Sequence, residues 1–279
     1  MNKLSIITIN FNNAEGLKRT LLSVEKQSCL EVEHIIIDGG SSDCSVDIIQ
    51  SYEGVLNSIR DNRHANYPVI SWISEKDDGI YEAMNKGVKR ATGDFLFFLN
   101  SGDTLASTTS LQEMMGHLAG VDFVIGRVNF TRRGQVENQS ALLREEDMSM
   151  YRMFLYGINH QSALIKRDLL MKIPYDTSVK MGADWKFFVQ AIVLGGASTK
   201  FVNTFFANFD LSGISSDTQA IIRERRSILS TILPERIARD YLVLAPHYYE
   251  VIRLEWLLRH PFWYRVYKMW TTLGRLICK

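Results

Sequence analysis

The groups in this chain that could do chemistry gather in short polar stretches, most of them directly after an apolar run. Asn100-Ser101-Gly102-Asp103 follows the run 95–99. A carboxylate at Asp103 can hold a hard divalent cation, which in turn bridges phosphates. Gly102 would let backbone approach a phosphate closely. A plain turn explains the same four letters, because Asn, Ser, Gly and Asp are all turn residues. Asp38 and Asp43 flank Gly39-Gly40-Ser41-Ser42 after the run 32–37. An acid placed after a strand can accept hydrogen bonds from a ribose hydroxyl or a base N–H. Ser42 or Asp43 can equally cap the next helix, which leaves Asp38 the sharper candidate.

The stretch 74–87, SEKDDGIYEAMNKG, is the densest in polar groups. On a helix starting near Ile80, with Asp77 or Asp78 as its cap, Tyr81 and Asn85 share one face and Lys86 lies near the same turn. The positive end of such a helix can face a phosphate. An ordinary amphipathic helix accounts for Ile80, Ala83 and Met84 but not for that density. Asp184, in Met181-Gly182-Ala183-Asp184-Trp185, stands at a predicted helix start. It is either a first-turn acid or a general base that removes a proton from a hydroxyl. His160, in Asn159-His160-Gln161-Ser162, is either structural or a further contact to a metal or diphosphate.

The elements that must position these groups alternate over the first hundred residues. Strands are predicted at 4–9, 32–37, 69–73 and 94–99, and helices at 17–25, 46–52 and 79–90. That alternation favours a mostly parallel central sheet flanked by helices, a Rossmann-like α/β arrangement with right-handed crossovers. Ligands of such sheets bind beyond the carboxyl ends of the strands. Asn10, Asn12 and Asn13, the 38–43 loop, Glu75 to Asp78, and Asn100 to Asp103 would all lie on that rim. Farther along, strands are predicted at 122–130 and 161–165 and a helix at 183–194, closed by Gly195-Gly196. From about 218 the chain reads as helical.

The bulk numbers exclude several classes. The chain has 279 residues, 46% hydrophobic and 23% charged, with a formal net charge of +1. A general nucleic-acid binder would carry a basic excess. Cys29, Cys44 and Cys278 lack zinc or redox spacing, as expected for unpaired thiols in a reducing cytosol. The N-terminus runs into a strand without a signal-peptide h-region, and no apolar run could span a bilayer, so a cytoplasmic protein is expected. The dinucleotide G-x-G-x-x-G, the Walker-type P-loop and the G-x-S-x-G elbow are all absent.

Taken together, Ile6-Ile7-Thr8-Ile9-Asn10-Phe11-Asn12, DGGSSD at 38–43, SEKDDGIYEAMNKGVKRATGD at 74–94 and FLNSGD at 98–103 resemble glycosyltransferase family 2. The branch resembled is that of bacterial exopolysaccharide, capsule and O-antigen enzymes, over roughly residues 3–215. The resemblance implies a GT-A domain over 1–217, with a nucleotide-sugar half at 1–105 and an acceptor half at 106–217. A helical, basic and aromatic extension would occupy 218–279. By position in the family, Thr8, Asn10 and Asn12 would line the nucleotide pocket, and Asp38 and Asp77 would contact base and ribose. Tyr81, Asn85, Lys86, Asn100 and Ser101 would add contacts to the nucleotide sugar. Asp103 matches the last acid of the DxD-type motif and would hold Mg²⁺ or Mn²⁺, with Asn100 where a first acid is common. Asp184 matches the catalytic base of an E-D-x-x-F-like motif, in which Ala183 replaces Glu and Phe187 remains. Ser215, within Ser212-Gly213-Ile214-Ser215-Ser216, resembles the segment near the diphosphate.

The implied reaction is an inverting in-line transfer from a nucleotide-diphosphate sugar, a UDP-sugar by expectation. The acceptor would be a hydroxyl of a saccharide or of a polyprenyl-diphosphate-linked saccharide in surface polysaccharide biosynthesis. A sugar-phosphate nucleotidyltransferase would usually carry a Gly-rich basic loop after the first strand, where this chain is Asn-rich. A non-catalytic nucleotide-sugar binder is favoured by Asn100 and opposed by Asp103 and Asp184 together.

Residues 251–279 hold six basic residues against Glu255 alone, a net of +5. Trp256, Trp263 and Trp270 are spaced by seven and would fall near one helix face, with Pro261 as a break. Such a segment suits an anionic membrane surface, where lipid-linked acceptors reside, and would place the protein at the inner face of the cell membrane. A tail helix packing its tryptophans on the core, or a dimer contact, fits the same pattern.

Overall fold

The computed structural model describes residues 3–28, 32–63, 68–212 and 218–277. The chain divides into two compact units, 1–224 and 225–279. In the first unit, β1 (Leu4–Asn10), α1 (Ala14–Glu25), β2 (Val32–Asp38), α2 (Ser45–Arg63), β3 (Val69–Ser74), α3 (Ile80–Arg90) and β4 (Phe95–Phe98) alternate as expected. β1, β2 and β4 are buried along their whole length, which is why they are mostly apolar rather than alternating; Ser5 and Thr8 of β1 are buried against Glu33 and His34 of β2, with which they hydrogen-bond. The four strands pair in parallel in the order β3-β2-β1-β4.

The second half turns the sheet into a mixed one. It contributes β5 (Thr104–Leu105), α4 (Ser110–Met115), β6 (Phe123–Arg132), β7 (Gln135–Gln139), α5 (Met150–Leu155), β8 (Ala163–Lys166), α6 (Arg167–Lys172), α7 (Ala183–Phe188) and β9 (Thr199–Asp210). β4 continues antiparallel into β8, β8 into β6, and β6 runs parallel to β9, which carries β5 on its far side. One α/β sheet therefore joins the parallel half to the later strands.

Opposite faces of β1 seat different helices. Leu4 and Ile6 enter a core cluster with Val24 of α1, Phe97 and Phe206. Ile7 points the other way, as strand periodicity requires, and meets α3. A side chain at Gly87 would collide with Ile7, so glycine lets α3 lie against the strand. That close seating brings Tyr81 and Asn85 toward the carboxyl ends of β1 and β4.

Several boundaries differ from expectation. α1 begins at Ala14 because Asn13 caps it, accepting from the Gly16 N–H. α2 extends to Arg63. α3 is capped by Gly79 and by neither Asp77 nor Asp78, since Asp77 is drawn to Lys86 and the Asp78 N–H donates to Glu82. The expected strand at 161–165 splits into a 3-10 turn, His160–Ser162, and β8. The helix at 183–194 is α7 followed by a π-helical segment, Val189–Leu194.

Helix α8 (Thr218–Ile232) runs across the division between the units. The second unit continues with α9 (Glu235–Leu244), α10 (Tyr248–Arg259) and α11 (Pro261–Ile277). The expected break falls at His260–Pro261. Trp256 stays on α10, stacked on His260 at 4.2 Å, so only Trp263 and Trp270 share a helix. Among the described residues, no helix is long and apolar enough to cross a membrane.

Candidate active site

The loops after β1 and β2 are locked together first. Asn10 and Asp38 are paired across the ladder, and the Asn10 amide donates to Asp38 Oδ1 at 2.8 Å. Asp38 also accepts from the Ser41 hydroxyl and N–H and from the Ser74 hydroxyl. Burial pushes its carboxyl up, but these hydrogen bonds together hold it below the usual carboxylate range. Asp38 is fully buried among these partners and ties the loop after β2 to the ends of β1 and β3. Asn12 takes a left-handed φ of 48° and accepts from the Ser42 N–H at 2.8 Å. Thr8 does not reach the rim. One strand repeat deeper, it is fully buried with its hydroxyl 2.9 Å from His34 Nε2.

Asp77 and an aromatic ring not assigned from the sequence border the same loops. A side chain at Gly39 would come within 3.2 Å of both the Asp77 carboxylate and the exposed Phe11 ring. Burial pushes the Asp77 carboxyl up, against its contact with the Lys86 ammonium. Lys86 also pairs with Glu75 at 2.9 Å, and these acids raise its proton affinity. Asn85 points elsewhere. Its amide donates to the Tyr175 carbonyl at 2.8 Å and accepts from the Tyr175 N–H, so it braces the approach to α7.

Asp184 is the meeting point of three elements. Its Oδ1 accepts from the Tyr81 hydroxyl of α3 at 3.1 Å and from the Trp185 N–H at 2.8 Å. Its Oδ2 lies 3.1 Å from His160 Nδ1. The other ring nitrogen of His160 lies 3.1 Å from the Asn100 amide nitrogen at the end of β4. Burial raises the Asp184 carboxyl, but contact with His160, the Trp185 N–H and the Tyr81 hydroxyl outweigh it and keep the group below the ordinary range. The side chain remains 19% exposed, enough to meet a hydroxyl. Both His160 ring nitrogens thus face protein groups, which places the ring between Asp184 and Asn100.

The 100–103 turn is pinned from beneath by α1. Gly102 has φ 107°, a conformation that disfavours a side chain. The buried Thr20 hydroxyl donates to the Asp103 carbonyl at 2.6 Å and accepts from the Gly102 N–H at 3.0 Å. Asn13 donates to the Ser101 carbonyl at 3.0 Å. Asp103 is 4% exposed and accepts from the Asp210 N–H at 2.9 Å and the Gln161 amide at 3.0 Å. Burial, helped by the charge of Asp210, pushes it up to about 6 against those hydrogen bonds. Thr20, Gln161 and Asp210 carried no sequence signal. Each looks like an ordinary helix, turn or strand residue until the chain folds. Ser215 lies outside the described residues.

The donor set bears on a cation. Among the described residues, no three His, Cys, Asp or Glu side chains form a cage. Asp103 and Asp210 are nevertheless hard carboxylates close together, since Asp103 accepts from the Asp210 N–H; Asp210 Oδ2, paired with Arg19 at 3.2 Å, would lie 3.9 Å from a side chain added at Gly102. Mg²⁺ commonly takes one or two carboxylates and completes its shell with waters and substrate phosphates. The pair fits an ion shared with a diphosphate.

A family model described as Glycosyl transferase family 2 matches residues 5–184, ending on the Asp184 just described. The chain belongs to glycosyl transferase family 2. It is a glycosyltransferase, and its relatives agree. An uncharacterized glycosyltransferase of Mycobacterium tuberculosis is 30% identical over 76% of this chain and 77% of its own. Among solved structures, S. aureus TarS 1–349 in complex with UDP-GlcNAc has a TM-score of 0.60 at 18% identity, covering 85% of this glycosyltransferase and 69% of that chain. Of a longer TarS chain, this one spans 42%. A Pyrobaculum calidifontis mannosyltransferase in complex with GDP-Man and Mn²⁺ has a TM-score of 0.59 at 15% identity, covering 82% and 64%. These likenesses show the GT-A fold.

Proposed function

We propose that this glycosyltransferase transfers a sugar from a nucleotide-diphosphate sugar, a UDP-sugar, to a hydroxyl of a saccharide or polyprenyl-diphosphate-linked saccharide, with inversion. The observation that carries the reading is Asp184: a partly exposed carboxylate kept ionised and oriented by Tyr81, Trp185 and His160. Its role is to take the acceptor proton as the hydroxyl attacks the anomeric carbon. The donor site is the rim of Asn10, Asn12, Asp77, Asn100 and Ser101 within 1–105, with Phe11 beside it, while 106–217 builds the acceptor side. The buried amide oxygens of Asn10 and Asn100 have no hydrogen-bond partner among the described residues. An unpaired buried acceptor costs on the order of 1–3 kcal/mol, which favours a donor group of ligand or water there. The UDP-GlcNAc and GDP-Man complexes of the structural neighbours support the donor class.

Asp103 and Asp210 would hold Mg²⁺ or Mn²⁺, whose contribution when bound is to offset charge on the departing nucleoside diphosphate. Acceptors of this kind are presented in membranes, so the enzyme works in the cytoplasm at the inner membrane face. The 218–279 extension supplies that contact.

Release of nucleoside diphosphate from a panel of donors, with a lipid-diphosphate saccharide acceptor, tests the proposal. Acceptor-dependent release is expected, with the product anomer opposite to the donor's. Asp184→Asn should lower kcat by at least about 100-fold, the scale of general base catalysis. Near-normal turnover by Asp184→Asn would overturn the assignment.

A further inference from the structure

Helix α11 carries an apolar face that the site does not use. Phe262 and Trp263 and, one heptad on, Met269 and Trp270 stand on one side of the helix. They are 69%, 52%, 63% and 78% exposed. Soluble proteins rarely gather so much exposed apolar surface in one place. Arg265 borders that face next to Met269, Lys268 lies farther round, and residues 261–279 contain four basic residues and no acid. Trp256 on α10, also half exposed, sits just before the break at His260–Pro261.

We propose that α11 is an in-plane membrane anchor. Phe262, Trp263, Met269 and Trp270 enter the headgroup–acyl boundary of an anionic bilayer, and Arg265 and Lys268 meet lipid phosphates. An amphipathic helix with large apolar residues on one face, and with only basic residues as its charged groups, has the composition that partitions to such interfaces. Indole rings favour that boundary because one edge is polar and the body apolar. Charge decides the occupant. Two copies of a segment with four basic residues and no acid repel each other, whereas the inner leaflet offers a negative surface. The helix does not cross, since none of the described helices is long and apolar enough. This inference deepens the peripheral-membrane reading above and stands apart from the donor chemistry, because binding is measured with no sugar present.

The test is sedimentation of the full chain with vesicles of phosphatidylcholine alone and of phosphatidylcholine with phosphatidylglycerol. Binding to the anionic vesicles, weakened by salt, is expected. Trp263→Ser/Trp270→Ser should weaken partitioning at least about 100-fold by loss of apolar burial. Arg265→Gln/Lys268→Gln should weaken it roughly 10- to 30-fold and flatten the salt dependence. Melting temperature and thermal shift with UDP, read on the same samples, should be unchanged in both variants. Failure of wild type to sediment, or sedimentation of the tryptophan variant as wild type, would overturn the proposal. So would a wild-type dimer in gel filtration that the tryptophan variant abolishes. Loss of sugar transfer with vesicle binding intact would instead count against the donor or acceptor reading alone.

Discussion

His160 bridges the two halves of the site: one ring nitrogen lies 3.1 Å from Asp184 Oδ2 and the other 3.1 Å from the Asn100 amide nitrogen. The Asn100 amide and the Asp184 carboxylate thus hold the ring from its two sides and fix its orientation. Asn100, where the family often has an acid, thus has a consequence at the base some distance away. In Asn100→Asp, the amide nitrogen facing the ring is replaced by an oxygen that can only accept, so the contact that orients His160 from that side is changed. A ring that shifts takes with it one of the contacts that aim the Asp184 carboxylate. The expected outcome is a fall in kcat of up to about 100-fold, the scale of a misplaced catalytic group, with melting temperature unchanged. Steady-state kinetics near neutral pH check it, and an unchanged kcat refutes the coupling.

Thr20 holds the 100–103 turn through the Asp103 carbonyl and the Gly102 N–H. Thr20→Val keeps the shape and strands both backbone groups. A loss of about 1–3 kcal/mol in chemical denaturation is expected, with weaker UDP binding in the presence of Mn²⁺. Thr20→Ser should restore both.

Asp103 and Asp210 should act as a pair on the cation. For wild type, Mn²⁺ and UDP together should raise the melting temperature more than the sum of their separate effects, because each completes the other's coordination. Asp103→Asn and Asp210→Asn should each remove that synergy. Differential scanning fluorimetry with and without EDTA decides, and synergy surviving in both variants would rule out this donor pair.

His34 sets a pH dependence of folding. The ring is fully buried between the Thr8 and Tyr52 hydroxyls, and burial lowers its pKa from 6.5 to about 3. The unfolded chain therefore binds a proton below pH 6.5 that the folded chain refuses until about pH 3. Stability from this group is complete above 6.5 and falls as pH falls through that window. Between pH 7 and pH 5 the loss is about 2 kcal/mol. Urea denaturation at the two pH values should show that slope in wild type and lack it in His34→Gln.

The alternation of strand-like and helical segments over the first hundred residues was enough to identify the parallel strands and their helices, because strands covered on both faces are mostly apolar. The rim followed from the sheet type, since ligands of parallel sheets bind beyond the carboxyl ends of the strands. Asn10, Asn12, Asn100, Asp103 and Asp184 were legible for that reason, as polar letters at the ends of predicted elements. Thr8 was misplaced because a threonine within a strand gives no sign of its depth below the rim. Asp38, Asn85 and Lys86 have the right residue types for ligand contacts. Their partners, Ser74, Tyr175 and Glu75 among them, are set by packing.

What local pattern dictated was the set of strand ends and the acids placed on them. Only the tertiary structure decided how those groups are wired. The bonds joining Tyr81 to Asp184, His160 to Asn100, and Asp103 to Gln161 and Asp210 cross 103, 60, 58 and 107 residues of sequence. A hydrogen bond needs two groups within about 3 Å, and no propensity or periodicity reports a distance across separate elements. The curl of the mixed half of the sheet and the seating of α3 at Gly87 bring them together.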